Sequence, residues 1–275
     1  MRRPCQCAID DHHRLVRLLI AFNEFLRSEL HRINSLYIVL EHKRRKRRKM
    51  NVRLKNVYII HHAAAQVPPL VLDSEYGMYV WPSAPVLAQY IWFHRASVNG
   101  KRVLEVGAGV SLPGIVAAKC GASVILSDSA ALPQCIENGF RSCAQNNLIG
   151  VPVIGLTWGE ISPDLLTLPP IDIILGSDVF YEPKDFEDIL VTLHFIIKRN
   201  PDAEFWTTYQ VRSASWSIEA LLHKWDLRCL NVPLKTFNAD RECLAGSSLP
   251  GRHTIQMMII TARRDLSDRS STQHL

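Results

Sequence analysis

Apolar positions along this chain follow two regimes. Over residues 15–40, Leu15, Leu18, Phe22, Phe25, Leu26, Leu30, Ile33, Tyr37 and Leu40 recur at helical spacing, which predicts one amphipathic helix. From about Asn51 the pattern changes to short β-branched runs alternating with helical stretches, the mark of a doubly wound α/β sheet. Strands are predicted over residues 102–106, 123–127, 152–156, 172–177, 204–208, 227–231 and 253–261. Helices are predicted over 85–95, 113–119, 132–146, 185–199 and 214–225. In open sheets of this kind a ligand sits in the crevice outside the carboxyl ends of the strands. That edge is where Gly107, Gly109, Asp128, Trp158 and Asp178 fall.

The most informative stretch is Val103-Leu104-Glu105-Val106-Gly107-Ala108-Gly109, a buried strand running into a glycine turn ahead of a helix that starts near Ser111. Such a turn lets backbone approach a ligand with no Cβ atoms in the way, beside the free N–H groups of a helix start. A dinucleotide site wants a third glycine for helix packing on the pyrophosphate. Leu112 stands there instead, followed by Pro113 and Gly114. Glu105 would also repel a pyrophosphate, whereas S-adenosylmethionine has no phosphate and carries a sulfonium and an ammonium that an acid suits. Asp128, closing the next strand, is placed to accept hydrogen bonds from both ribose hydroxyls.

Composition and charge narrow the picture. A chain of 275 residues at 47% hydrophobic can bury one large core. Residues 1–60 hold 15 Lys/Arg against 5 Asp/Glu, while the rest hold 17 against 21, so the net charge of +6 belongs to the N-terminal segment. The mildly acidic body suits a cationic partner, a basic protein substrate better than DNA. The expected organisation is an extension over 1–60, a catalytic domain over 61–263 and a polar tail over 264–275. Seven cysteines without regular spacing point to reduced thiols, and no apolar run reaches transmembrane length, so no membrane association is expected. Neither Cys5-Gln6-Cys7 nor the pairs His12-His13 and His61-His62 has partners at ligand spacing, so no metal site is expected. No nucleophile elbow is present, which excludes that hydrolase chemistry. The run Lys43 to Lys49 is seven adjacent cations, read as a solvated linker or as a contact for an import receptor or nucleic acid.

Tyr79-Val80-Trp81-Pro82, Leu104 to Gly114, Leu126-Ser127-Asp128, Asn138, Leu156-Thr157-Trp158-Gly159 and Leu175 to Tyr181 follow in order over residues 76–263. In these motifs the chain resembles the class I, seven-stranded S-adenosylmethionine-dependent methyltransferases, and more closely the family 16 group that contains many protein lysine methyltransferases. The segments 206–213 and 249–254 resemble a histone-arginine branch of that group. The resemblance implies a Rossmann-like seven-stranded sheet with helices on both faces, S-adenosylmethionine as donor and an acceptor arginine in the histone H3 tail. It further implies a chromatin and transcription role in nucleus and cytoplasm. A lysine of a heat-shock chaperone or other protein, or a cofactor-binding module acting through transcription factors, are the alternatives. Residues 1 to about 60 match nothing in the group.

Carried over residue by residue, the resemblance implies that Gly107, Ala108 and Gly109 pass the methionine moiety with Glu105 nearby, and that Asp128 holds the ribose. Trp158 would pack beside the adenine, Ser177 would line the pocket, and Trp81 would close it. Asp178 would orient the substrate cation, with Tyr181 and Phe180 walling the channel and Glu182 adding a carboxylate. A lysine acceptor must be neutral to react, whereas an arginine, with a pKa above about 12, stays charged and must be oriented by carboxylates. Asp178 with Glu182 or Glu75 would form such a pair.

Overall fold

The computed structural model describes residues 79–213, 216–245 and 247–263. The helix expected over 15–40, the basic run 43–49, Glu75 and the tail 264–275 lie outside these described residues. Seven strands form one sheet: β1 (Arg102–Glu105), β2 (Ser123–Asp128), β3 (Val153–Gly155), β4 (Ile173–Ser177), β5 (Glu204–Gln210), β6 (Leu227–Val232) and β7 (Ile255–Ala262). Their order is β3-β2-β1-β4-β5-β7-β6. The first five strands are parallel, and β7 runs antiparallel between β5 and β6.

The middle strands are apolar on both faces because both are covered, as parallel sheets require. Val103 and Leu104 of β1 and Ile173, Ile174 and Leu175 of β4 are buried. One face carries α1 (Ser83–Phe93), α3 (Leu112–Lys119) and α4 (Pro133–Gln145), with the short α2 (Arg95–Val98) following α1. There Tyr90 meets Trp206 and Phe237 edge-on, at 4.9 and 5.0 Å between ring centroids. The other face carries α5 (Pro163–Leu166), α6 (Phe186–Arg199) and α7 (Glu219–Lys224). In α6, Ile189, Leu190, Leu193, Ile196 and Ile197 make the apolar stripe that covers the sheet. Glu187 and Asp188 in its first turn and Lys198 and Arg199 in its last oppose the helix dipole and fix where it starts and stops.

At the amino ends of β1 and β4, Arg102 clasps Asp172 by two hydrogen bonds of 3.0 Å. Arg102 thereby holds the Asp172 carboxyl down to about 2. The strand order reverses between β1 and β4, so their carboxyl ends open the crevice of the sheet.

The sequence-based pattern differs from the structure mainly in small elements. The helix expected over 214–225 begins only at Glu219, where the Ser217 hydroxyl accepts the Glu219 N–H at 3.2 Å. The helices α2 and α5 and a 3₁₀ turn over Leu234–Phe237 are too short to set up a 3.6-residue period.

Candidate active site

The turn after β1 is shaped by left-handed backbone: Gly107, Gly109 and Ser111 have φ of 58°, 49° and 60°. Glycine is required at 107 on a second ground, because a Cβ there would lie 2.9 Å from Trp158 Cζ2 and 3.2 Å from Val179 Cγ1. The turn is tied to β2 by two N–H groups, Ala108 donating to the Ser127 carbonyl at 2.9 Å and Gly109 to Asp128 Oδ2 at 2.7 Å. Asn138, on α4, donates to the Gly109 carbonyl from the other side at 3.4 Å.

A cavity of about 490 Å³ opens at this point, within the range of small-molecule sites. Gly107, Ala108, Gly109, Asp128, Leu132, Leu156, Trp158 and Ser177 are among its lining residues. Trp81, Asp178, Tyr181, Glu182, Asp185, Asp188 and Arg212 are also among its lining residues. A second cavity, of about 500 Å³, lies between α7, β6 and β7 and shares none of these residues.

Asp128 lies on the cavity wall at the end of β2. Oδ1 accepts the Ser129 N–H at 2.8 Å and Oδ2 the Gly109 N–H at 2.7 Å, and each oxygen has accepting capacity left over. Burial lifts its pKa, and those two N–H groups pull it back. With the flat Trp158 and the apolar Leu132 and Leu156 beside it, this donor and acceptor set fits an adenosine. S-adenosylmethionine carries no phosphate for the carboxylates of the wall to repel, so the residues present suit it.

Two expected residues sit differently from the sequence-based reading. Glu105 does not line the cavity. It is fully buried beneath the turn, where Oε2 accepts the Gly114 N–H at 3.0 Å and Oε1 has no hydrogen-bond partner among the described residues. Burial above all raises its pKa well beyond the usual range, opposed by the Gly114 N–H and reinforced by Asp128. It therefore braces the loop from below and is a poor counter-ion for a ligand cation. Gly114 is needed for this, since a Cβ there would stand 2.4 Å from Glu105 Oε2.

Asp178 does line the cavity, but its carboxylate is occupied. Arg212 Nη1 donates to Oδ1 at 2.9 Å and Nη2 to Oδ2 at 2.6 Å, and the Gln210 N–H reaches Oδ1 at 3.1 Å. Asp178 itself takes φ 59°, with its N–H donating to the Thr208 carbonyl at 2.7 Å. The Arg212 guanidinium also stands over the Trp81 ring, 5.9 Å from its centroid. Tyr181 and Glu182 lie on the wall as expected, but Phe180 points away into the apolar layer under α6 and α7.

Three charged wall residues carry no individual role in the sequence reading: Asp185, Asp188 and Arg212. The acids come from the turn leading into α6 and from its first turn, where dipole complementarity alone explains them. Arg212 follows the end of β5, and only the parallel pairing of β4 with β5 brings it to Asp178. Among the described residues no group of three or more His, Cys, Asp or Glu is arranged to hold a metal ion, and no helix is long and apolar enough to cross a membrane.

Comparison with known proteins places the site in context. Residues 71–219 match the family model described as lysine methyltransferase. The histone-arginine methyltransferase METTL23 of Xenopus laevis is 76% identical over 196 residues, covering 71% of this chain and 84% of its own length. The human protein of the same name is 63% identical over 188 residues, covering 68% of this chain and 99% of its own. The protein N-lysine methyltransferase METTL21A of Danio rerio is 39% identical over 118 residues, 42% of this chain and 54% of its own.

Proposed function

This chain belongs to the lysine methyltransferase family, and from that premise we propose that it methylates an arginine side chain of the histone H3 tail, with S-adenosylmethionine as donor. The observation that supports the reading is one cavity at the strand-order reversal, lined by the glycine turn, by the strand-terminal Asp128 and by four further carboxylates. Arginine is favoured over lysine because the relatives named for arginine match at 63 to 76% over about 70% of this chain. The lysine-specific relative matches at 39% over 42%.

Bound S-adenosylmethionine supplies an electrophilic methyl group on sulfonium sulfur. What the protein must add is alignment of the nitrogen and exclusion of water. Asp128 would hold the ribose diol, Gly107 to Gly109 would leave room for the methionine part, and Trp158 would flank the adenine. Trp81 and Tyr181 wall the opening. Because Asp178 is spent on Arg212, orienting the acceptor guanidinium falls to Glu182, Asp185 and Asp188. None of these three forms an ion pair among the described residues. An arginine stays protonated at neutral pH, so these carboxylates direct the reacting nitrogen rather than deprotonate it beforehand.

A histone substrate calls for activity in the nucleus as well as the cytoplasm, with the basic run 43–49 as a contact for an import receptor and the consequence a change in transcription. The test is to incubate the protein with radiolabelled S-adenosylmethionine and histone H3 and to locate the methyl group by mass spectrometry. Label on an H3 arginine is expected. Label on lysine alone would overturn the acceptor, and absence of label on any basic protein, with cofactor bound, would leave a binding module.

A further inference from the structure

Arg212 lines the cavity with part of its hydrogen-bonding capacity unused among the described residues. A guanidinium has five N–H donors in one plane. Three are spent: Nη1 donates to Asp178 Oδ1 at 2.9 Å and to the Gln210 carbonyl at 3.2 Å, and Nη2 to Asp178 Oδ2 at 2.6 Å. The two left without a partner among the described residues are Nε–H and the other N–H of Nη2. These lie side by side along one edge of the group, the geometry that takes a carboxylate in two parallel hydrogen bonds.

The surroundings select what that edge binds. Asp128, Asp178, Glu182, Asp185 and Asp188 line the cavity, and Arg212 is the one cationic side chain among its lining residues. S-adenosylmethionine has one anionic group, the carboxylate of its methionine part. In a wall of five acids that group would be repelled unless a cation met it. The guanidinium is already held by Asp178, the Gln210 carbonyl and the Trp81 ring, so binding a second carboxylate orders little more of the side chain. Its side chain is still 23% exposed, enough to be reached from the cavity.

We propose that the free Nε/Nη2 edge of Arg212 binds the methionine carboxylate of the donor, with Asp178 as the residue that positions the guanidinium for it. The inference rests on the methyltransferase reading above, and it gives the acidic motif after β4 a role on the donor side of the reaction.

The experiment compares S-adenosylmethionine with its decarboxylated form, which differs only in that carboxylate, by titration calorimetry. The parent protein is expected to prefer the full donor by about tenfold to a hundredfold, the size of a charge-assisted two-donor pair. In Arg212→Gln, and in the Asp178→Asn/Arg212→Gln double variant that leaves no unpaired buried charge, the preference should collapse to about twofold. Arg212→Lys should keep part of it. Circular dichroism melting confirms that the variants compared are folded. A preference that persists in the folded double variant, or a loss of affinity equal for both ligands, would overturn the proposal and leave Arg212 as scaffold. Equal binding by the parent would overturn it too. A parent that binds neither ligand would bring down the methyltransferase reading itself.

Discussion

Asp178 and Arg212, 34 positions apart, meet as a two-pronged ion pair in the wall of the cavity, with Asp178 only 5% exposed. The pair locks the end of β4 to the segment after β5. Breaking such a buried pair from one side leaves a charge without compensation, which costs about 3 kcal/mol or more. Arg212→Ala and Asp178→Ala should each destabilise on that scale, and the double variant should cost clearly less than their sum, with a coupling of at least about 1 kcal/mol. Urea unfolding of the four proteins in the cycle measures it, and strict additivity would contradict the coupling.

Gly107 is expected to be irreplaceable for the cofactor. Alanine there must adopt a left-handed conformation at about 1–2 kcal/mol and push against Trp158, and arginine would fill the space outright. Affinity for S-adenosylmethionine should fall at least about tenfold in Gly107→Ala and be undetectable in Gly107→Arg, with the far-ultraviolet circular dichroism unchanged. Asp128→Ala should likewise lose binding, since it removes both the diol acceptor and the acceptor for the Gly109 N–H. Calorimetric titration that matched the parent in either case would remove the site assignment.

Glu105 sets a pH dependence of unusual sign for a carboxyl. Burial raises its folded pKa above the ordinary 4.5, so above that pH the folded state holds a proton that the unfolded state has released. Its contribution to stability is complete below about pH 4.5 and is eroded as pH rises toward the folded pKa, by up to about 1.4 kcal/mol per pH unit. Glu105→Gln, which preserves an acceptor for the Gly114 N–H, escapes that loss. The melting temperature of the variant should therefore gain on the parent as pH is raised from 4.5, while its affinity for S-adenosylmethionine stays within about threefold of the parent. A gap independent of pH would show that this carboxyl titrates alike in both states.

Glu182, Asp185 and Asp188 are expected to act on the acceptor and not on the donor. Substituting each by its amide should raise KM for a basic peptide by up to about fivefold, the range of exposed ion pairs, and leave cofactor affinity unchanged. The effect should shrink as salt is added. A change in cofactor affinity with no change in KM would reverse the assignment.

The sheet is legible because its strands are apolar runs separated by turn residues, and the turn that lines the cavity because its glycines and the strand-terminal Asp128 are local features. The burial of Glu105 off the cavity wall is not legible, because in β1 both faces are covered and alternation says nothing about which side a residue takes. Arg212 was invisible as a functional residue for a different reason. An arginine after a strand can pair with any acid in reach, and the choice of Asp178 is made by the parallel pairing of β4 with β5 and by the left-handed backbone at Asp178. Asp185 and Asp188 look like ordinary helix-start acids, and only the closure of the cavity gives them a second meaning.

The insertion of β7 between β5 and β6 also has a temporal consequence. During synthesis on the ribosome, β5 has β4 beside it early but gains its second neighbour last, through the pairs Thr208 with Met257, Tyr209 with Gln256 and Gln210 with Ile255. Until residue 262 has emerged, the strand that leads to Arg212 is an open edge and β6 has nothing to pair with. A premature stop between Arg212 and β7 would therefore damage more than a terminal strand: it would leave a chain carrying every residue that lines the cavity and yet unable to fix the one that faces Asp178.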